Sequence, residues 1–319
     1  MAWVIPVINM VITLPFTQHK ITLSHVFAIA VVVIAFPLFF LGGPTPGSSK
    51  LFCAVWDSGH IIFFAALMFV LGKRFNVNNL RTCFAIFAAV FVGGGLIELI
   101  QAHIGRDGNW QDLFNDLAGT TIGLCWMQRA RALTWVWGAR MASLLLLVPL
   151  LSSVVYELAF RLEATHQFPL LAGFESRLSI YGYSNVQRSN AFHSEGLYSA
   201  EIRLIPGEYS GISFSRLIRD WRNYKQLSFD IYNPDPQPLR MTIRVNDVLH
   251  DVNGWVDSDR FNWMFELGPG LNHLVFPLKA IQQGPATRAM DLSQVSDVII
   301  STRQISQPRV IYLDNLRLE

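Results

Sequence analysis

Five stretches of this chain approach the roughly 20 mostly apolar residues that a membrane-crossing helix needs. They are residues 25–41, 57–71, 80–101, 110–127 and 139–160. Pro37 is expected to kink the first, and Pro149 interrupts the fifth. The second is short and ends at Lys73 and Arg74; the fourth is the least apolar. Ahead of them, residues 1–16 are apolar but broken by Pro6 and Pro15, without the basic start and small-residue cleavage pattern of a secretory signal. Residues 1–21 are left unassigned.

Beyond residue 160 the period changes. After an expected linker over 161–176, Leu227, Phe229 and Ile231 alternate with Ser228, Asp230 and Tyr232. Met241, Ile243 and Val245 alternate in the same way with Thr242, Arg244 and Asn246. A period of two marks half-buried strands. Further strand-like runs are 211–214, 274–278, 298–302 and 310–318. Turn-forming residues separate them at 233–236, 253–254 and 268–270. The predicted fold is an all-α transmembrane bundle of about five helices over 22–160, followed by an all-β jelly-roll sandwich over 177–319.

Charge follows the same division. Residues 1–160 hold 9 Lys and Arg and 6 Asp and Glu, whereas 161–319 hold 16 and 17. The net charge of +2 is too small and too evenly spread for nucleic-acid binding. Cys53, Cys83 and Cys125 all lie in the apolar half, so no disulfide framework staples the sandwich, and their spacing is not that of a metal site. Short loops rich in Lys and Arg prefer the cytoplasm. Lys73, Arg74 and Arg81, and then Arg129, Arg131 and Arg140, mark two such loops. Alternation then puts residues 42–56, 102–109 and everything after 160 on the outer side of a bacterial cytoplasmic membrane.

That orientation gathers polar residues at one membrane face. Asp57 and His60 open the second helix, Glu98 and Gln101 close the third, Arg106 follows in the loop, and Asp112 and Asp116 open the fourth. Ionisable groups in or beside hydrocarbon are costly, which makes them functional candidates. His60 is the acid–base candidate, Glu98 or Asp112 its partner, and Arg106 a fork for phosphate or carboxylate. The competing reading is a structural ion-pair network in which Arg106 ties the helix ends together. Asp57, His60, Glu98, His103, Asp112 and Asp116 are able metal ligands, but no HExxH motif accompanies them, and no metal or cofactor is expected. Gly119 and Gly123 continue the Asp112/Asp116 stripe and allow close helix approach, with glycines 93–95 as the expected partner.

These residues resemble the VanZ-like membrane family over about 22–160. That family's pattern is an Asp–His pair opening one helix, Glu-x-x-Gln closing the next, then Arg, Asp, Asn and two glycines. Asp57, His60, Glu98, Gln101, Arg106, Asp112, Gly119 and Gly123 match it. The Asp–His spacing is three rather than four, and Asp116 stands at the family's Asn, with Asn115 one position early. The resemblance implies a bacterial envelope setting and no particular reaction.

In the second half, Asp220, Trp221 and Tyr224, then Asp257, Asp259, Arg260, Phe261 and Asn262, and the closing run 312–318 resemble galactose-binding-like jelly rolls of carbohydrate-binding modules. Arg244, Asn246, His250, Trp255, Asp259, Arg260 and Asn262 are the candidate sugar-binding residues, with Trp255 as the aromatic platform. The alternative makes Asp259 and Arg260 a sheet-edge ion pair; Trp221 and Trp263 are expected in the core. Asp314 and Asn315 are expected to serve the terminal strand. The expected function is recognition of a polysaccharide or lipid-linked glycan in envelope or exopolysaccharide biology. The alternative is an enzyme that hydrolyses or transfers a lipid-linked group through Glu98, Arg106, Asp112 and His60. The sequence does not fix an oligomeric state.

Overall fold

The computed structural model describes residues 23–39, 43–45, 47–71, 79–103, 110–128 and 133–319. The first part is helical and the second is an all-β sandwich. The helices are α1 (Leu23–Ala35), α2 (Lys50–Leu71), α3 (Leu80–His103), α4 (Trp110–Met127), α5 (Leu133–Leu144) and α6 (Val148–Gln167). At Phe36–Phe39 the chain tightens into a 3-10 turn around Pro37, the residue expected to kink it. A second 3-10 turn, Leu145–Leu147, joins α5 to α6 just before Pro149, so the two form one interrupted rod.

Three helical stretches are long and apolar enough to cross a membrane: Lys50–Leu71, Leu80–Ile100 and Trp135–Gln167. The described part of the first apolar run is shorter, and α4 falls outside this group. The polar residues Asp112, Asn115 and Asp116 lower its apolarity. Those apolar spans are poorly covered by protein: 33%, 17% and 6% of the respective windows are buried. Phe84, Val155 and Leu162 are exposed at 76%, 64% and 64%. The packed centre lies between α2, α3 and α4, where Phe63, Phe64 and Val90 are buried.

The fifth helix extends past the expected end at 160. The first seven residues of the presumed linker continue α6, because nothing in 161–167 breaks a helix. Strand β1 (Leu170–Ala172) then pairs at once with the C-terminal strand β10 (Arg309–Leu318). Sheet A runs β2 (Val186–Ser189), β3 (Ser199–Leu204), β10, β5 (Gln226–Asn233), β8 (Gly270–Pro277), with β1 added on β10. Sheet B runs β4 (Tyr209–Phe214), β9 (Val295–Arg303), β6 (Leu239–Asp247), β7 (Phe261–Leu267). Ile202, Phe229, Ile231, Met241, Ile243, Val298 and Leu313 meet between the sheets, all fully buried. Trp221 is at 0% exposure, with Nε1 donating to the Ile218 carbonyl at 2.8 Å.

The two sheets differ on their outer faces. A loop over residues 190–198 lies across sheet A. Phe192 stacks on Tyr232 at 4.1 Å, and Asp314 accepts from the amides of Ser194 and Glu195 at 2.8 and 3.1 Å. That cover over Asp230, together with Glu319, which accepts from the Ser228 hydroxyl at 3.0 Å, explains why β5 is buried on both sides. Asp230 accepts from His273 Nδ1 at 2.6 Å and Asn315 Nδ2 at 3.3 Å. On the outer face of sheet B, Arg244 on β6 stands opposite Ile299 on β9 and near Asp297, and the start of α2 approaches the same face, with Lys50 near Asp297 and Gly47 against Val248.

Candidate functional site

Two clusters of polar side chains come together, one among the helices and one on sheet B. In the first, α2 contributes Asp57 and His60, α3 Glu98, and α4 Asp112 and Asp116. His60 is 7% exposed and Asp116 2%. His60 Nδ1 donates to Asp116 Oδ1 at 2.7 Å, and its Nε2 lies 3.8 Å from Asp112 Oδ2. Glu98, 8% exposed, is close enough for its charge to act on His60, and Asp57 acts on Asp112. A carboxylate on Nδ1 fixes the imidazole tautomer and turns Nε2 towards Asp112, the orienting arrangement that acid–base chemistry uses. Thr120, with 0% exposure, returns its hydroxyl to the Asp116 carbonyl at 2.8 Å.

Glycines let these helices approach. A Cβ on Gly119 would lie 2.4 Å from the Ile61 carbonyl oxygen, and one on Gly123 2.4 Å from Met68 Cβ. Both therefore press on α2 rather than on glycines 93–95 of α3, where the sequence reading put them. Gly94 serves a different contact, its missing Cβ leaving room for Asp116 Oδ2 at 2.8 Å. Arg106 lies outside the described residues. Gln101 is placed on α3, one turn after Glu98.

The second cluster sits where β6 runs into α7 (Val248–Val252) and the loop that follows. Arg244 projects from β6, its Nε donating to Asn246 Oδ1 at 2.9 Å and its Nη2 facing His250 Nε2 at 3.4 Å. His250 is fully buried and donates from Nδ1 to the Asp259 carbonyl at 3.0 Å. Burial and the neighbouring Arg244 and Arg260 hold its pKa below the usual histidine range, so at neutral pH its Nε2 is an acceptor for Arg244. Trp255 closes the group. It adopts a left-handed backbone, φ +64°, and packs edge-on against His250 at 5.7 Å. The Arg244 guanidinium lies 5.9 Å from its ring, yet the tryptophan remains 52% exposed. Asn246 has 0% exposure, and its Nδ2 has no hydrogen-bond partner among the described residues. A buried donor left without a partner costs about 1–3 kcal/mol.

The remaining candidates divide. Asp259 is held by Arg288, which donates to its two oxygens at 2.6 and 3.0 Å. The same guanidinium grips Asp247, at 2.5 and 2.7 Å. Arg260 pairs with Asp257 at 2.6 Å, so the expected Asp259–Arg260 pair gives way to two separate ones. Asn262 is exposed on β7, with Nδ2 3.4 Å from the Asp257 carbonyl oxygen. Trp263, read as core, is 56% exposed because β7 is the edge of its sheet.

Two residues of this region carried no signal in the sequence reading. Arg288 bridges partners 41 and 29 positions away. Asp297 lies on the outer face of β9, beside Ser213 and near Arg244 and Lys50. Burial, with Asp251 close by, pushes its carboxyl up to about 6. Its place on the polar side of an alternating strand is the one available clue. No group of three or more His, Cys, Asp or Glu among the described residues is placed to hold a metal ion.

No protein-family model matches the chain, and no curated protein matches it. Solved structures do. A family 11 carbohydrate-binding module from Clostridium thermocellum, in complex with a β-1,3-1,4-mixed-linked tetrasaccharide, is 16% identical; the match covers 47% of this chain and 93% of that one, with a TM-score of 0.33. A family 30 carbohydrate-binding module of the cellulosomal cellulase Cel9D-Cel44B of the same organism is 15% identical, covering 42% and 82%, with a TM-score of 0.33. An exo-β-agarase is 18% identical with a TM-score of 0.35; the match covers 47% of this chain and only 24% of the agarase.

Proposed function

We propose that this chain is a membrane-anchored glycan-binding protein of the bacterial envelope, with its sandwich on the outer side. The observation that carries the reading is Trp255. A half-exposed indole, fixed by His250 and Arg244, stands beside a sheet face that offers hydrogen-bonding groups. An apolar ring face next to planar polar groups suits a sugar, which is apolar on its C–H face and polar at its rim. Arg244, half-buried beside the ring, supplies the donors, and the loop across sheet A makes the Trp255 side the favoured one.

The helices serve as the anchor. Their outward apolar surface, with windows as little as 6% buried, is stable against lipid and not against water. The VanZ-like pattern of Asp57, His60, Glu98, Asp112 and the two glycines supports an envelope setting.

The test is binding of the purified full chain to a panel of soluble and immobilised polysaccharides, wild type against Trp255→Ala. A bound glycan should be lost, or weakened by at least about tenfold, in the variant. Equal binding by both proteins would move the site off Trp255, and silence across a broad panel would remove the glycan reading.

A second reading is favoured by the His60–Asp116 contact, an imidazole held by carboxylates inside apolar helices. It makes the helical cluster an acid–base site acting on a lipid-linked glycan or phosphate. That reading requires turnover by the purified protein that is lost in His60→Gln.

A further inference from the structure

Where the helices meet the sandwich, a cavity of about 140 Å³ opens between the start of α2, the last turns of α6 and the segment after β4. A single water needs only about 10–15 Å³ on this scale, so a phosphoryl group fits easily. The wall carries four cations, Lys50, Arg161, Arg216 and Arg219, against one carboxylate, Glu157. That carboxylate is already occupied, because Arg216 Nε donates to both its oxygens at 2.9 and 3.2 Å. Arg219 donates from Nη2 to the Gly47 carbonyl at 2.7 Å.

Lys50 and Arg161 form no ion pair with a described residue. From the sandwich side, Asp297 acts on Lys50 and Asp251 on Arg219, but neither lines the cavity. Like charges gathered in a partly apolar recess repel one another, and a bound anion removes that cost.

The start of α2 adds to the same field. Ser49 caps the helix by accepting from the Phe52 amide at 3.2 Å, and 22 residues of aligned peptide dipoles begin at Lys50. The apolar part of the wall includes Leu51, whose face of α2 continues four and eleven residues on to the exposed Val55 and Ile62. An anionic head above an apolar chain matches this sequence of surfaces.

We propose that the cavity binds the phosphate of an anionic lipid head group, and so ties the sandwich to the membrane surface. The inference is independent of the glycan reading, because neither Trp255 nor Arg244 lines this cavity.

The test uses the full chain purified in detergent and offered phosphatidylglycerol, phosphatidylcholine or inorganic phosphate. Native mass spectrometry reads bound lipid, and the thermal midpoint reads phosphate. The variant is K50Q/R161Q, which removes no described side-chain hydrogen bond or ion pair. Phosphatidylglycerol retained by the wild type about tenfold over phosphatidylcholine, with the preference abolished in the variant, supports the lipid source. Phosphate raising the midpoint of the wild type alone, without a lipid preference, keeps the anion site and assigns it to a soluble ligand.

Neither effect in the wild type, or either one undiminished in K50Q/R161Q, overturns the proposal. Should the double variant fail to fold, R161Q alone is read by the same criteria. Glycan binding by K50Q/R161Q stays at the wild-type level, which separates failure of this site from failure of the sandwich face.

Discussion

At the scale of single residues, Arg288 and Asp297 act in opposite directions on the sandwich. Arg288 neutralises two carboxylates at once, one of them, Asp247, with a fully buried side chain. Removing one partner of a buried pair is far costlier than never having built it, commonly about 3–5 kcal/mol. Arg288→Met is therefore expected to destabilise the sandwich by about 3 kcal/mol. Urea unfolding of residues 168–319, whose core is made wholly of their own side chains, measures it.

Asp297 bears on pH. Its folded pKa, about 6, lies above the 3.8 of an unperturbed carboxyl. Between those values the folded chain holds a proton that the unfolded chain has released, so this residue's contribution falls as pH rises through the window. Asp297→Asn should raise the thermal midpoint of the full chain at pH 7.5, by an amount equivalent to about 2–3 kcal/mol. The difference should close towards pH 4. Asp247 has the reverse sign. Burial acts to raise it, Arg288 more than offsets that, and its lowered pKa adds stability that is lost only on strong acidification.

Among the elements, α2 and α4 depend on each other most visibly. The Ile61 carbonyl occupies the space a side chain at 119 would need. Gly119→Ala is expected to force the helices apart, cost about 1–3 kcal/mol, and loosen the His60–Asp116 contact. A lowered thermal midpoint in detergent, with the sandwich's own unfolding unchanged, is the expected signature.

The elements also show where a sequence is readable. Unbroken apolarity announced α2 and α3, and period two announced β5 and β6, because both signals are local. Asp57, His60, Glu98, Asp112 and Asp116 could be brought together on paper because successive apolar runs alternate in direction, although α2 begins at Lys50, so that Asp57 and His60 lie inside the helix and do not open it as expected. The linker reading over 161–176 failed where falling apolarity was mistaken for loss of helix: α6 leaves its apolar surroundings but keeps its hydrogen bonds. Trp263 was misplaced because alternation tells which way a side chain points, not whether its strand is an edge. Arg288 was invisible because an ion pair across 41 residues leaves no mark on either neighbourhood.

For the molecule as a whole, several contacts among the described residues join helices to sandwich, three of them hydrogen-bonded. Tyr156 donates its hydroxyl to the Leu178 carbonyl at 2.6 Å, Arg216 pairs with Glu157, and Arg219 holds Gly47. The start of α2 and the end of α6 therefore face the same side. On the proposed orientation, which puts the basic segments 73–81 and 128–140 in the cytoplasm, that side would be the outer one. A cysteine introduced at the exposed Leu197 should react with a membrane-impermeant maleimide in intact spheroplasts. Labelling only after lysis would invert the topology.

The direct passage of α6 into β1 sets the reach of the sandwich. A domain on a flexible tether explores a volume that grows with the tether's length; one fused to a rod keeps a fixed height and tilt. On the proposed anchoring, Trp255 would be carried at a set distance from the lipid surface, and only polymer passing at that altitude would meet it. Neighbouring copies in one bilayer would present their platforms in parallel, so that a long chain lying along the cell surface could be held at several points at once.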